Sequence, residues 1–325
     1  MNGFRIPVGV WVDSGVDWLR DNLSGLFDVI ALVVRFLVGG LSDVLLAAPI
    51  VVVIVVAALL AWLLRSWKLA LGTVIGFALI LAMGQWVTAM QTLALVLVAT
   101  VVAVAISVPL GIWSARNSTV RAVLKPILDF MQTMPAFVYL IPAITFFSIG
   151  VVPGVVSTVI FALPPGVRLT ELGIRGVDSE TVEAGHAFGA TPGQILRGIQ
   201  LPLAMPTIMA GINQVIMLAL SMAVVAGIVG ADGLGKEVVE SISTVNLPKG
   251  VEAGLSVVVL AVYLDRLTAA LGNRADNTGS LLGVLGRRRA ARAAAATSAS
   301  PTPDAAEPIE RDQTPTRRTP VSAGR

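Results

Sequence analysis

Glu183-Ala184-Gly185-His186-Ala187-Phe188-Gly189, followed after nine residues by Ile199-Gln200-Leu201-Pro202, is a polar, turn-bearing segment set between two long apolar runs. Phe130 to Val167 on one side and Gly198 to Ala231 on the other carry no charged side chain at all. Ionisable groups at the centre of a span cost about 2.5–3.5 kcal/mol each. A charged elbow between such runs therefore lies at the edge of a membrane, and the rest of the chain can be read outward from it.

The 325 residues are 55% hydrophobic and 13% charged, against roughly a quarter charged in a soluble domain. Several uncharged stretches, Val44 to Leu64 among them, exceed the about 18 residues that mark a membrane span. A β-barrel would show alternating segments of about ten residues, and the sequence has none. The prediction is an all-α polytopic membrane protein. Without cysteine, disulfides and thiolate chemistry are excluded. The single histidine, His186, excludes His-cluster metal sites and most catalytic triads, and we read it as a polar surface residue. No metal site and no nucleic-acid partner is expected. Met1 to Asp28 carries Arg5, Asp13, Asp17, Arg20 and Asp21, which does not fit a cleaved signal peptide.

Seven spans are expected. The first is Val44 to Leu64, closed by Arg65 and Lys68. Leu69 to Ala115 is too long for one span and is divided at Gly84-Gln85-Trp86. Phe130 to Val167 is divided at Gly150 to Gly154, with Pro153 inside the turn. The sixth span lies within Gly198 to Ala231, starting near Pro206, and the seventh is Val251 to Leu271. Arg65 and Lys68, then Arg116, Arg121 and Lys125, then Arg168, Arg175 and Arg197, then Arg274 and Arg287 to Arg289 all fall on one side, while the turns at Gln85 and Pro153 are uncharged. Positive charge marks the cytoplasm, so the elbow and the C-terminus are inside. Leu26 to Leu41 is interrupted by Asp28 and Arg35 and reads as an interfacial helix, which leaves the N-terminus outside; a spanning helix there would move it inside. The expected division is an extracytoplasmic or interfacial segment at 1–43, a transmembrane domain at 44–274, and a disordered Ala/Arg/Thr/Pro/Ser tail at 275–325.

Within the elbow, Thr191 is a candidate N-cap with Pro192 at the first helical position, so the segment reads as helix, turn at Gly189, and second helix to Pro202. The spacing resembles the EAA loop of ABC importer permeases, Glu-Ala-Ala and then the Gly and Ile-x-Leu-Pro positions, with Gly185 standing where the pattern has Ala. The resemblance implies a loop that docks on a partner ATPase through Glu183, Ala184, Gly185, Gly189, Ile199, Leu201 and Pro202. Glu183 would face the partner, and small Ala184, Gly185 and Ala187 would keep the first helix thin. No Gly-x-x-x-x-Gly-Lys-Ser/Thr is present, and Gly233-Leu234-Gly235-Lys236 lacks the first half and the hydroxyl. ATP and magnesium would be bound by the partner, with no cofactor in this chain.

Further strings resemble the glycine betaine/proline permease family: Asp129 to Pro142, Pro109 to Trp113, Ile160 to Pro165, Leu201 to Gly211, Leu218 to Met222 and Leu264 to Thr268. The family implies an ABC type I importer permease fold, a homodimeric core with two ATPase subunits, and an extracytoplasmic binding protein that delivers betaine-type solutes. Choline, carnitine, proline or another amino acid are alternative cargoes within the class. An ion-coupled secondary transporter is disfavoured because the first six expected spans contain no charged residue.

Candidates for the translocation path are Phe137, Tyr139, Asn213, Gln214 and Ser221, with Trp113, Phe146 and Phe147 as further aromatics. Aromatic faces attract quaternary ammonium groups, although packing competes for each of these residues. Gly211, Ser221 and Gly227 also suit close helix packing. Pro135, Pro142, Pro164 and Pro165 are expected to break or kink their helices. Asp129 can pair with Arg116, Arg121 or Lys125, or touch the ATPase, and Asp232-Gly233-Leu234-Gly235 suggests a tight reentrant or docking loop outside.

Overall fold

The computed structural model describes residues 7–272. Among these residues every element is helical. The expected tail at 275–325, with Arg287 to Arg289, lies outside the described residues.

The chain opens with α1 (Val8–Ala47), whose backbone leaves helical geometry once, at Leu23 (φ −118°, ψ 18°). A hairpin of α2 (Ile50–Leu64) and α3 (Trp67–Ala82) follows, its turn capped by the Ser66 side chain accepting from Leu69 N–H. Gly84 (φ 71°) turns the chain into α4 (Trp86–Arg116), as the Gly84-Gln85-Trp86 string predicts. Then come α5 (Ser118–Thr133), a 3-10 turn at Ala136–Tyr139, α6 (Leu140–Phe147) and α7 (Val151–Arg175). The elbow forms α8 (Ser179–Ala187) and α9 (Pro192–Ile195); a π turn (Leu196–Gln200) leads into α10 (Leu201–Ala226). Last are α11 (Leu234–Ser243) and α12 (Leu247–Gly272).

The centre of the bundle is α7 between α4 and α10, and small residues make it close-packed. A Cβ on Gly111 would lie 2.5 Å from Thr170 Cβ, one on Gly211 would lie 2.9 Å from Leu169 Cβ, and one on Gly173 would lie 3.0 Å from Thr207 Cβ. Gly166 fits against Ser107 in the same way. Such small residues at a seam let helix backbones approach in lipid, where no hydrophobic drive pulls helices together. Pro164 and Pro165 sit buried inside α7 without ending it.

Four expectations meet a different geometry. The first apolar helix of the expected transmembrane domain begins at Ile50 rather than Val44, because Ala48 is extended (ψ 141°) before Pro49 and 44–47 belong to α1. It and α3, at 15 and 16 residues, are shorter than the five or six helices long and apolar enough to cross a membrane among the described residues. The fourth span is not one straight helix: α5 and the 136–147 segment are bent by 110° at Met134-Pro135. Met134 is driven to ψ 132° by the proline that follows it. The sixth span does not start near Pro206 but continues the second helix of the elbow, in one stretch from Pro192 to Val229. Residues 26–41 are not a separate piece but part of α1, which is long and apolar enough to cross a membrane.

How α1 is held shows where it runs. Phe27 stacks on Phe146 (centroids 4.5 Å apart) and meets Phe147 edge-on at 5.6 Å. Those two phenylalanines end α6 at the turn opposite the elbow. Ala47 leads through Ala48-Pro49 to the start of α2. Val34 and Val38, between Phe27 and Ala47, are buried against the bundle.

Candidate coupling site

The elbow is held together by its own side chains. Asp178 accepts from Glu180 N–H at 3.0 Å and starts α8. Gly189, at φ 77°, ends that helix: its N–H donates to His186 O, and Ala190 N–H reaches back to Gly185 O at 3.1 Å. This is the left-handed cap that glycine adopts without steric cost. Thr191 and Gln194 then form a reciprocal capping box, Thr191 N–H donating to Gln194 Oε1 at 2.7 Å and Gln194 N–H to Thr191 Oγ1 at 3.4 Å, with Pro192 in the first turn.

The second helix does not stop at Pro202. The backbone widens at Leu196–Gln200, where Leu201 N–H donates to Leu196 O. A wide turn suits this place, because Pro202 has no N–H to continue the regular ladder. Ile195 and Leu196 are buried, and Leu196 with Ile174, Ala204 and Ile208 seats the elbow on the adjoining ends of α7 and α10.

The seven residues assigned to the elbow divide by direction. Glu183 and Ala184 are exposed on α8, as are His186 and Ala187, and Gly189 and Pro202 are also exposed. Gly185 instead faces inward, where a Cβ would lie 2.8 Å from Ile199 Cδ1 and 3.4 Å from Ile195 Cγ1. Its smallness lets the two arms of the elbow touch, which differs from the expected role of thinning the outer face. Ile199 and Leu201 are half-buried in the same contact layer. The residue that sequence reasoning left without a role is Phe188, 91% exposed at the tip. An aromatic beside a helix-ending glycine in a polar loop was the signal available.

The path residues do not form one site. Tyr139 is buried, donates its hydroxyl proton to Met131 O and packs edge-on to Phe161, so it braces the bend between α5 and α6. Asn213 donates to Asp265 Oδ1 at 3.0 Å and accepts from Thr268 Oγ1 at 2.6 Å, tying α10 to α12. Phe137 and Gln214 are exposed. Ser221 donates to Met217 O at 3.0 Å and lines, with Met217, Asp265 and Arg266, an open groove of about 330 Å³ between α10 and α12. Asp129 pairs with Arg168 of α7, a partner outside the three considered from sequence.

The far end of α10 closes on itself. A Cβ on Gly235 would lie 2.5 Å from Ala223 O, and Gly227 presses on the Gly235 backbone. Gly233 (φ 123°) backs onto Thr92, whose hydroxyl oxygen accepts from Leu234 N–H at 2.8 Å. Asp232 lies 2.8 Å from Lys236 Nζ and holds that ammonium above its ordinary pKa. Among the described residues no group of His, Cys, Asp and Glu is placed to hold a metal.

Comparison with known proteins bears on both ends. Residues 107–277 match the profile of the family described as binding-protein-dependent transport system inner membrane component. The glycine betaine transport system permease protein OpuAB of Bacillus subtilis is 48% identical over 276 residues, 85% of this chain and 98% of that protein. The glycine betaine/proline betaine transport system permease protein ProW of Escherichia coli is 45% identical over 85% of this chain and 78% of its own length. The glycine betaine/carnitine transport permease protein GbuB of Listeria monocytogenes is 47% identical over 84% of this chain and 98% of its own length. Among solved structures, an inward-facing methionine ABC transporter MetNI matches with a TM-score of 0.50 at 26% identity, over 56% of this chain and 90% of that one.

Proposed function

This chain belongs to the family of binding-protein-dependent transport system inner membrane components, and on that premise we propose that it is the membrane subunit of an ABC importer for glycine betaine and proline betaine. The cargo reading rests on three relatives at 45–48% identity whose names all include glycine betaine. The observation that carries the mechanism is the elbow: a capped, exposed structure that continues through one widened turn into a helix long and apolar enough to cross a membrane.

In this reading two copies of the chain form the core and two ATPase subunits bind below it. The chain carries no ATPase site of its own, and ATP and magnesium belong to the partners. A separate extracytoplasmic binding protein delivers the solute to the outer face. The elbow and the C-terminus are cytoplasmic; α1 lies along the outer face within the lipid interface, which leaves the N-terminus outside. Its course from Phe146–Phe147 to the start of α2 supports that placement, and it spares Arg35 a position at the membrane centre. Glu183, Ala184 and Phe188 meet the ATPase, while Gly185, Gly189, Ile199, Leu201 and Pro202 hold the elbow in shape. Phe137, Gln214 and Ser221 remain the exposed path residues, and Tyr139 and Asn213 support the helices behind them. Closure of the ATPase pair moves the elbow and tilts α10, which alternates access across the bundle.

The test is uptake of labelled glycine betaine into vesicles that contain this chain, its ATPase and its binding protein. Uptake should require ATP hydrolysis. Uptake that persists with a hydrolysis-dead ATPase defeats the reading.

A further inference from the structure

We propose that the basic pocket between α5 and α7 binds the phosphate headgroup of an anionic membrane lipid; the inference rests on the cytoplasmic placement of these helix ends given above. The pocket, about 310 Å³, is lined by Arg121, Lys125, Asp129, Arg168, Glu171 and Arg175. Its two carboxylates are already engaged. Glu171 takes Arg121 Nε at 2.8 Å and Ser114 Oγ at 2.7 Å, and Asp129 pairs with Arg168. Among the described residues no carboxylate lies within ion-pair distance of Lys125 or Arg175. A concave site with two surplus cations calls for an anion, and guanidinium and ammonium donors suit phosphate oxygens.

The surroundings favour a lipid over a soluble anion. Val123, Ile127 and Phe130 are exposed at intervals of three or four residues, which puts one apolar stripe along α5. An amphipathic helix with basic residues on its other side lies at the level of headgroups and upper acyl chains. The 110° bend at Pro135 sets α5 across the direction of the segment that follows. Exposed Leu172 and buried Leu128 line the same pocket as the charges, so an acyl chain has apolar wall beside the phosphate site.

The test places the full-length chain in nanodiscs of phosphatidylcholine with a minority of phosphatidylglycerol. Spin-labelled lipids then report the preference of protein-bound lipid for phosphatidylglycerol. Each cation near the surface contributes about a fivefold preference, so Lys125→Ala and Arg175→Ala should each lower it by about that factor, and the double variant by about 25-fold. Lys68→Ala, an exposed cation on the same side of the bundle, should leave it within twofold. These variants spare Arg121, Arg168, Asp129 and Glu171, so the ties between α5 and α7 stay in place, and the intact preference of Lys68→Ala shows that losing one basic residue on this face is not enough. An unchanged preference in the double variant overturns the proposal. So does loss of the preference in a few millimolar inorganic phosphate, which would identify a soluble anion as the ligand. Loss of ATPase co-purification with lipid preference intact would assign the patch to the partner instead. The measurement needs neither ATP nor solute, so it stands or fails separately from the uptake experiment.

Discussion

Two glycine-rich turns flank the long helix α10, and they use the same residue type for opposite ends. At the outer turn Gly227, Gly233 and Gly235 press onto backbone or side-chain atoms and are buried. At the inner elbow Gly189 has nothing near its missing side chain, and the tip beside it is an exposed phenylalanine. The outer turn is finished by contacts within the chain. The inner one is shaped by its own caps and leaves its surface exposed, which is where the proposed function would seat the ATPase. Internal packing and exposed surface thus separate along one helix.

That contrast can be broken or sharpened by substitution. Gly235→Ala should have the largest effect on folding, because its Cβ would meet carbonyl oxygens of Ala223 and Val224 that cannot give way. A cost of about 3 kcal/mol is expected for such overpacking, read as thermal unfolding of the purified chain in detergent. A stability equal to the parent would mean that the outer turn is no more finished than the inner one. Gly189→Ala places a side chain at φ 77° and should cost about 1–2 kcal/mol, with uptake reduced because the arms of the elbow change their angle. Gly185→Ala should stay within about 0.5 kcal/mol of the parent, since the atom it meets is the mobile end of Ile199. Its uptake should be close to normal, and a total loss would show that the arms cannot part even slightly. Phe188→Ala should leave stability unchanged while weakening ATPase association about 30-fold, the effect of a buried aromatic anchor at an interface. Normal ATPase association in that variant would remove the tip from the contact.

Much of this was legible in the residues. The elbow's spacing, its Thr191-Pro192 start and the turn at Gly84 follow from local rules, and the structure places them there. The turn expected over Gly150 to Gly154 ends at Gly150, because Val151 already starts α7 and Pro153, with no N–H to satisfy, fits that helix's first turn. Proline was the weaker guide. Pro135 breaks the chain because Met134 ahead of it is extended, whereas Met205 ahead of Pro206 remains helical in a stretch that runs on to Val229. The tendency of the residue before proline to leave the helix is a bias that packing can override. Contacts distant in sequence were not legible at all. Nothing local joins Phe27 to Phe146, Asn213 to Asp265, or Asp129 to Arg168, and only the assembled bundle supplies those partners. Phe188 was visible as a letter but not as a projection, because exposure is decided by what fails to cover it.

The stretch from Pro192 to Val229 counts 38 residues, widened once at Leu196–Gln200, about 57 Å at helical rise. A swing of about 10° at one extremity carries the other through about 10 Å over such a length. Under the proposed function, a stroke delivered by the ATPase at the elbow would therefore reach the far end of α10 as sideways travel.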